Sequence, residues 1–243
     1  MPWKLNRTGR DGLAVLCALL SIWICAIILP KDEAKHPSEV MALTTKEFVL
    51  IIDPGHGGMV GGTSAPDGRT KSIYNLEISL RLRDAASFLG IPTVLTREGE
   101  TLDYPEELRS TASCKRWDTR QRVDRINAVE NGVLFSIHQN YYPDAAPNGA
   151  QVLYAPTENS RILGERVQER IAGYLQPENR RAAQPAARDI YIMNHIHCPA
   201  VLVECGFLSN PQEAKTLAEE GYQIRLAMVL ADSFLQFTEE IMT

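Results

Sequence analysis

The stretch VLIIDPGHGG, Val49 to Gly58, decides the reading of this chain. Four apolar residues run into an aspartate and a proline, and a histidine then stands between glycines. A short apolar run closed by turn residues describes a strand buried on both faces, as in a parallel sheet. His56 falls just past its carboxyl end, where Gly55, Gly57 and Gly58 allow a tight turn. Two later apolar runs end in the same way: VLFSIHQN, Val133 to Asn140, delivers His138, and AVLVECGF, Ala200 to Phe207, delivers Glu204. Open α/β sheets bind ligands outside the carboxyl ends of their strands, so these three residues are expected to converge. Two neutral imidazoles and a carboxylate, with a position left for water, suit a catalytic zinc ion.

The glycine turn is no phosphate loop, because it lacks both the G-x-x-x-x-G-K-[ST] and the G-x-G-x-x-G spacing. Asp53 has two readings, as an acceptor that orients an imidazole or as the residue that opens a turn before proline. Arg97, at another strand end in LTRE, and Gln139 and Asn140, just after His138, are candidates to contact substrate; salt bridging or turn capping is the plainer role for each. A rival cluster, His195, His197, Cys198 and Cys205, is disfavoured because alternation along an extended segment turns Cys198 away and carries Cys205 too far. Cys205 is a poor nucleophile beside Glu204, which raises a thiol pKa. No disulfide is expected between Cys198 and Cys205, which chain reach sets about 20 Å apart.

Around this centre, apolar runs of strand length alternate with longer amphipathic runs. That is the pattern of βαβ units, and the expected fold is α/β: a single three-layer domain with a mainly parallel twisted sheet flanked by helices. Strands are expected over Phe48–Ile52, Thr93–Thr96, Val133–Ile137, Gln151–Tyr154 and Val201–Val203. Helices are expected over NLEISLRLRDAASFLG, Asn75 to Gly90, then Arg120–Val129, Ser160–Leu175 and Gln223–Phe237. The segment Glu98 to Asp118 has no periodicity and reads as a long loop that closes one side of a groove, with Tyr104 and Trp117 on it.

With 243 residues, 44% of them apolar and 23% charged, the chain has length and composition for one sizeable core. A formal charge of -5 gives no basic footprint and argues against nucleic acid as a partner. The N-terminus divides into a basic stretch, 1–11, an uncharged apolar stretch, 12–29, and a linker, 30–46, before the domain at 47–243. Eighteen uncharged residues span about 27 Å as a helix, enough to reach across a hydrocarbon core. Lys4, Arg7 and Arg10 precede them, so the segment reads as one apolar helix serving as a signal anchor or signal peptide, with the domain outside the cell membrane.

Seven stretches occur in one order: IIDPGHGG, NLEISLRLRD, TVLTRE, RQRV, SIHQN, GAQVLY and PAVLVECGFLSNPQEAKTL. Together, from about Val49 to Phe237, they resemble the zinc-dependent N-acetylmuramoyl-L-alanine amidases of the bacterial cell wall, the amidase-3 type. Within that family the chain looks most like the membrane-anchored proteins of spore-forming Gram-positive bacteria, some of which act on the spore cortex. The resemblance implies that His56 and His138 are zinc ligands, that Glu204 is the catalytic carboxylate, and that peptidoglycan is the substrate. Targeting is then expected from the anchor, the groove or a protein partner, including an activating one. One position departs from the pattern: the third ligand, a glutamate four residues before the asparagine-leucine pair of the first helix, is replaced by Lys71. Asp67 and Glu77 are the nearest carboxylates, but Glu77 lies about 240° around the helix from residue 71. The competing expectations are a non-catalytic peptidoglycan-binding or regulatory module that has lost the metal, and a zinc peptidase of the stem peptide.

Overall fold

The structure, a computed structural model, describes residues 47–242. The N-terminal segments expected over 1–46 lie outside the described residues. Six strands form one sheet: β1 (Val49–Pro54), β2 (Thr93–Leu95), β3 (Gly132–Asn140), β4 (Gln151–Tyr154), β5 (Gln184–Pro185) and β6 (Ala200–Phe207). Their order across the sheet is β2-β1-β3-β6-β4-β5. β2, β1, β3 and β6 run parallel, while β4 is antiparallel to β6 and parallel to β5.

The helices are α1 (Lys71–Phe88), α2 (Thr111–Asn127), α3 (Glu158–Tyr174), α4 (Tyr191–His195), α5 (Pro211–Ala218) and α6 (Glu220–Met242). Strand alternation sorts the core into two faces. Leu50, Ile52, Val133, Phe135, Val201 and Val203 pack with residues of α1, α3 and α6, whereas Ile51, Leu134 and Leu202 pack with Ile126 of α2 and Met193 of α4. The sheet therefore sits between two helical layers, which is the expected architecture. β1 and β3 are buried on both faces because each is flanked by strands and covered by helices, and this is why their sequences read as unbroken apolar runs.

Two expectations are corrected. The α1 helix begins at Lys71, four residues ahead of the expected start at Asn75, and Ile78 and Leu82 are fully buried at its helical spacing. The long loop ends earlier than Asp118, because α2 begins at Thr111. Its start is set by Ser110, whose hydroxyl accepts from Ser113 N while the Ser113 hydroxyl accepts from Ser110 N. Mostly charged and polar residues follow that cap, and the helix buries few of them, so its apolar period is faint in the sequence.

Candidate active site

β1, β3 and β6 lie in parallel register, and this brings their carboxyl ends together. His138 of β3 is paired directly with Glu204 of β6. Beyond β1, His56 places its ring 5.3 Å from that of His138, centroid to centroid, at an interplanar angle of 61°. The three strand-end residues expected to converge are thus brought to one place. The approach of β1 to β3 depends on Gly55: a methyl group there would lie 2.2 Å from His138 Nε2.

His56 adopts φ +60°, the left-handed region that side-chain-bearing residues rarely enter. Two arginines hold it there. Its carbonyl accepts from Arg97 Nε at 2.9 Å and from Arg122 Nη2 at 2.6 Å. Arg97 also donates to the carbonyls of Pro54, Gly55, Ser72 and Gly99. Buried at 6% exposure, it clamps the turn, which is the plainer of the two roles expected for it. Asn140 is the last residue of β3, two positions past His138, and its Oδ1 accepts from Tyr141 N at 2.7 Å.

Asp53 orients neither imidazole. Its carboxylate accepts from Thr96 Oγ1 at 2.6 Å, Ser136 Oγ at 2.6 Å and Arg122 Nη1 at 3.0 Å, fully enclosed under the turn. Burial alone pushes its pKa up, but Arg122, Ser136 and Thr96 outweigh it and hold the carboxyl below the usual range. Arg122 is the residue that sequence reasoning missed. It joins Asp53, Asp118 and the carbonyls of Pro54 and His56 into one network, and RQRV was the only trace of it.

The electrostatics of the centre follow from burial. Burial first, then the charge of Lys71, lowers His56 to about 4; burial first, then His56, lowers His138 to about 3. Both imidazoles are neutral at pH 7, the form that can ligate a metal. Burial raises Glu204 to about 7, against the opposing charge of Lys71. Its Oε2 is buried with no hydrogen-bond partner among the described residues, an acceptor held in reserve for a proton donor.

Lys71 opens α1 on the other side of His56. A methyl group at Gly62 would lie 3.1 Å from Lys71 Cβ and 3.4 Å from His56 Cδ2, so the two side chains flank the same glycine. The Lys71 ammonium stands 5.9 Å from the centroid of the Tyr141 ring. Neither substitute carboxylate reaches the site. Asp67 accepts from Arg69 Nε at 2.7 Å and from Tyr74 Oη at 2.8 Å, and Glu77 accepts from Arg69 and from Gln223 Nε2. No cluster of three or more His, Cys, Asp or Glu residues suited to a metal occurs among the described residues. The donor set therefore offers two imidazoles and does not fit a three-ligand zinc ion.

The rival cluster is dispersed. His195 stacks on Tyr191 at 3.7 Å, with Nδ1 2.8 Å from the Tyr191 carbonyl. Cys205 is wholly buried, its thiol pushed up by burial and then by Glu204, and the three described cysteines are free. A cavity of about 270 Å³ opens beside the imidazoles, walled by His56, His138, Lys115, Thr119, Tyr191 and Ile192. Lys115 and Tyr191 come from helices far apart in sequence, and no local motif announced their meeting.

Two imidazoles and a buried, high-pKa carboxylate at the strand ends of an α/β sheet define a hydrolytic centre. The chain belongs to the N-acetylmuramoyl-L-alanine amidase family, whose sequence model matches residues 50–235. It is 34% identical over 240 residues to the germination-specific N-acetylmuramoyl-L-alanine amidase of Bacillus subtilis (strain 168), covering 95% of this chain and 97% of that one. Among solved structures it is similar to the CwlD amidase from Clostridioides difficile in complex with the GerS lipoprotein, with a TM-score of 0.76 and 31% identity over 79% of this chain and 99% of that chain. An N-acetylmuramoyl-L-alanine amidase from Clostridium difficile 630 matches with a TM-score of 0.67 at 27% identity, over 79% of this chain and 97% of that one.

Proposed function

We propose that this chain hydrolyses the amide between the lactyl group of N-acetylmuramic acid and the L-alanine of the stem peptide, in the wall or spore cortex, with Glu204 carrying the proton. The observation behind this reading is the register pair of His138 and Glu204, with His56 5.3 Å from His138. Water attacks the amide carbonyl carbon as Glu204 takes its proton. Glu204 then passes that proton to the amide nitrogen as the C–N bond breaks, leaving a lactyl carboxyl group and the free amine of L-alanine. A carboxyl raised to about 7 is matched to both transfers near neutral pH. His56 and His138 are the residues on which zinc dependence would rest. With Lys71 at the third place the donor set falls short of the ion that the family resemblance implies, and the proton transfers above are those of the chain's own residues.

Residues 12–29 would hold the protein at the cell membrane with the domain on the outer side, since a basic flank precedes them. The Clostridioides difficile relative was solved with a lipoprotein, which supports a protein partner for this chain also. The similarity to a germination-specific amidase supports a role in the spore. Lys71 favours a second reading, a non-catalytic peptidoglycan-binding module. Incubating the full-length chain with purified sacculi and counting newly freed α-amines of alanine separates the two. Glu204→Gln is expected to lower release by about 10²- to 10⁴-fold while the far-UV circular dichroism is unchanged. Undiminished release by Glu204→Gln would remove Glu204 from its role, and sacculus binding without any release by the unmodified chain would favour the module.

A further inference from the structure

We infer that Lys71 is a built-in competitor for a divalent cation at this centre: its side chain occupies the third face of the His56–His138 site, so that residue 71 sets how readily zinc binds. The inference rests on reading the two imidazoles as the metal-holding pair. Three observations carry it. The place of residue 71 is fixed by the backbone, because Lys71 N donates to the Thr63 carbonyl at 3.0 Å, Ser72 N to the Gly61 carbonyl at 3.0 Å, and Asn75 Nδ2 to the Gly55 carbonyl at 3.0 Å. The helix therefore cannot slide to offer another residue. The Lys71 stem lies against the same glycine as the His56 ring, and its ammonium stands 5.9 Å from the ring centroid of Tyr141, three positions past His138. Last, Asp67 and Glu77, the carboxylates nearest Lys71 in sequence, are both held by Arg69 and do not offset the lysine.

A positive charge beside two neutral imidazoles and a carboxylate acts twice. It repels an incoming divalent ion, and it supplies Glu204 with a cation that the ion would otherwise be. The full-length chain is accordingly expected to bind zinc weakly, and a change of charge at residue 71 alone is expected to restore binding.

The test is zinc affinity of the full-length protein after chelator treatment, by competition with a chromophoric chelator, for the unmodified chain, Lys71→Met and Lys71→Glu. Removing the charge should tighten binding, and adding a carboxylate should tighten it by more than about a hundredfold, since even outer partners of a metal ligand contribute roughly 10- to 100-fold. Equal affinity in all three proteins, or tight stoichiometric zinc in the unmodified chain, would overturn the inference. If Lys71→Glu does not fold, Lys71→Met decides: tighter binding supports the inference and equal or weaker binding overturns it. Product analysis on sacculi keeps the two readings apart. A zinc-loaded Lys71→Glu protein that frees no alanine amine would defeat the hydrolytic reading and leave the role of Lys71 standing.

Discussion

His56 shows how the site is maintained residue by residue. Its left-handed backbone costs about 1–2 kcal/mol and persists because Arg97 and Arg122 both grip its carbonyl. Arg122 in turn depends on Asp53 and Asp118. Replacing Arg122 with leucine would leave Asp53 buried with two hydroxyl donors and no counter-charge, a loss of about 3–5 kcal/mol in urea unfolding. A loss under about 1 kcal/mol would show that the network contributes little. His56, His138 and Glu204 were legible in the sequence because each terminates an apolar run, a signal carried within ten residues. Arg122 was not, since its partner lies 69 positions away and nothing local records the pairing. Arg97 was found, but its partners were not: the strand end was readable, whereas the five carbonyls that absorb its donors are set by how the turn folds back.

At the scale of elements, the buried strands and the long helices α1, α3 and α6 were readable from their apolar periods. The antiparallel direction of β4 was not, because strand pattern records burial and not direction. α2 was read in part. Its first turns lie among exposed polar residues, and the Ser110–Ser113 cap that starts it uses serine where glutamate is the more familiar partner. Ser110→Ala is expected to lower stability by about 1 kcal/mol and to increase amide exchange in the first turn of α2. Because α2 carries Arg122 and Lys115, fraying there should loosen the turn around His56 as well. An unchanged exchange pattern would show that packing, not the cap, sets the start of this helix.

For the molecule as a whole, the charge states of the centre make stability depend on pH. His56 and His138 have folded pKa values of about 4 and about 3 against 6.5 when unfolded, so their contribution is present above 6.5 and is lost as pH falls below it. Glu204, raised from 4.5 to about 7, works the other way, and its contribution is present below 4.5 and lost as pH rises toward 7. Between 4.5 and 6.5 the unfolded chain binds a net one proton more than the folded chain from these three groups. Unfolding free energy of the chelator-treated protein should therefore fall by about 1.4 kcal/mol per unit as pH drops through that window, and level off as the folded imidazoles take up protons near 4 and 3. A flat profile would contradict the neutral imidazoles. The same centre, two imidazoles and one carboxylate gathered by three strand ends, is the basis of the assignment to muramoyl amide hydrolysis. The most direct test is the identity of the bond cleaved: full-length protein is incubated with purified sacculi in the presence of zinc, and the soluble products are weighed by mass spectrometry. The account predicts peptides that begin with a free L-alanine amine, together with glycan stripped of its peptides. Fragments that keep the lactyl-alanine amide while the stem peptide is cut, or sacculi left whole, would contradict it.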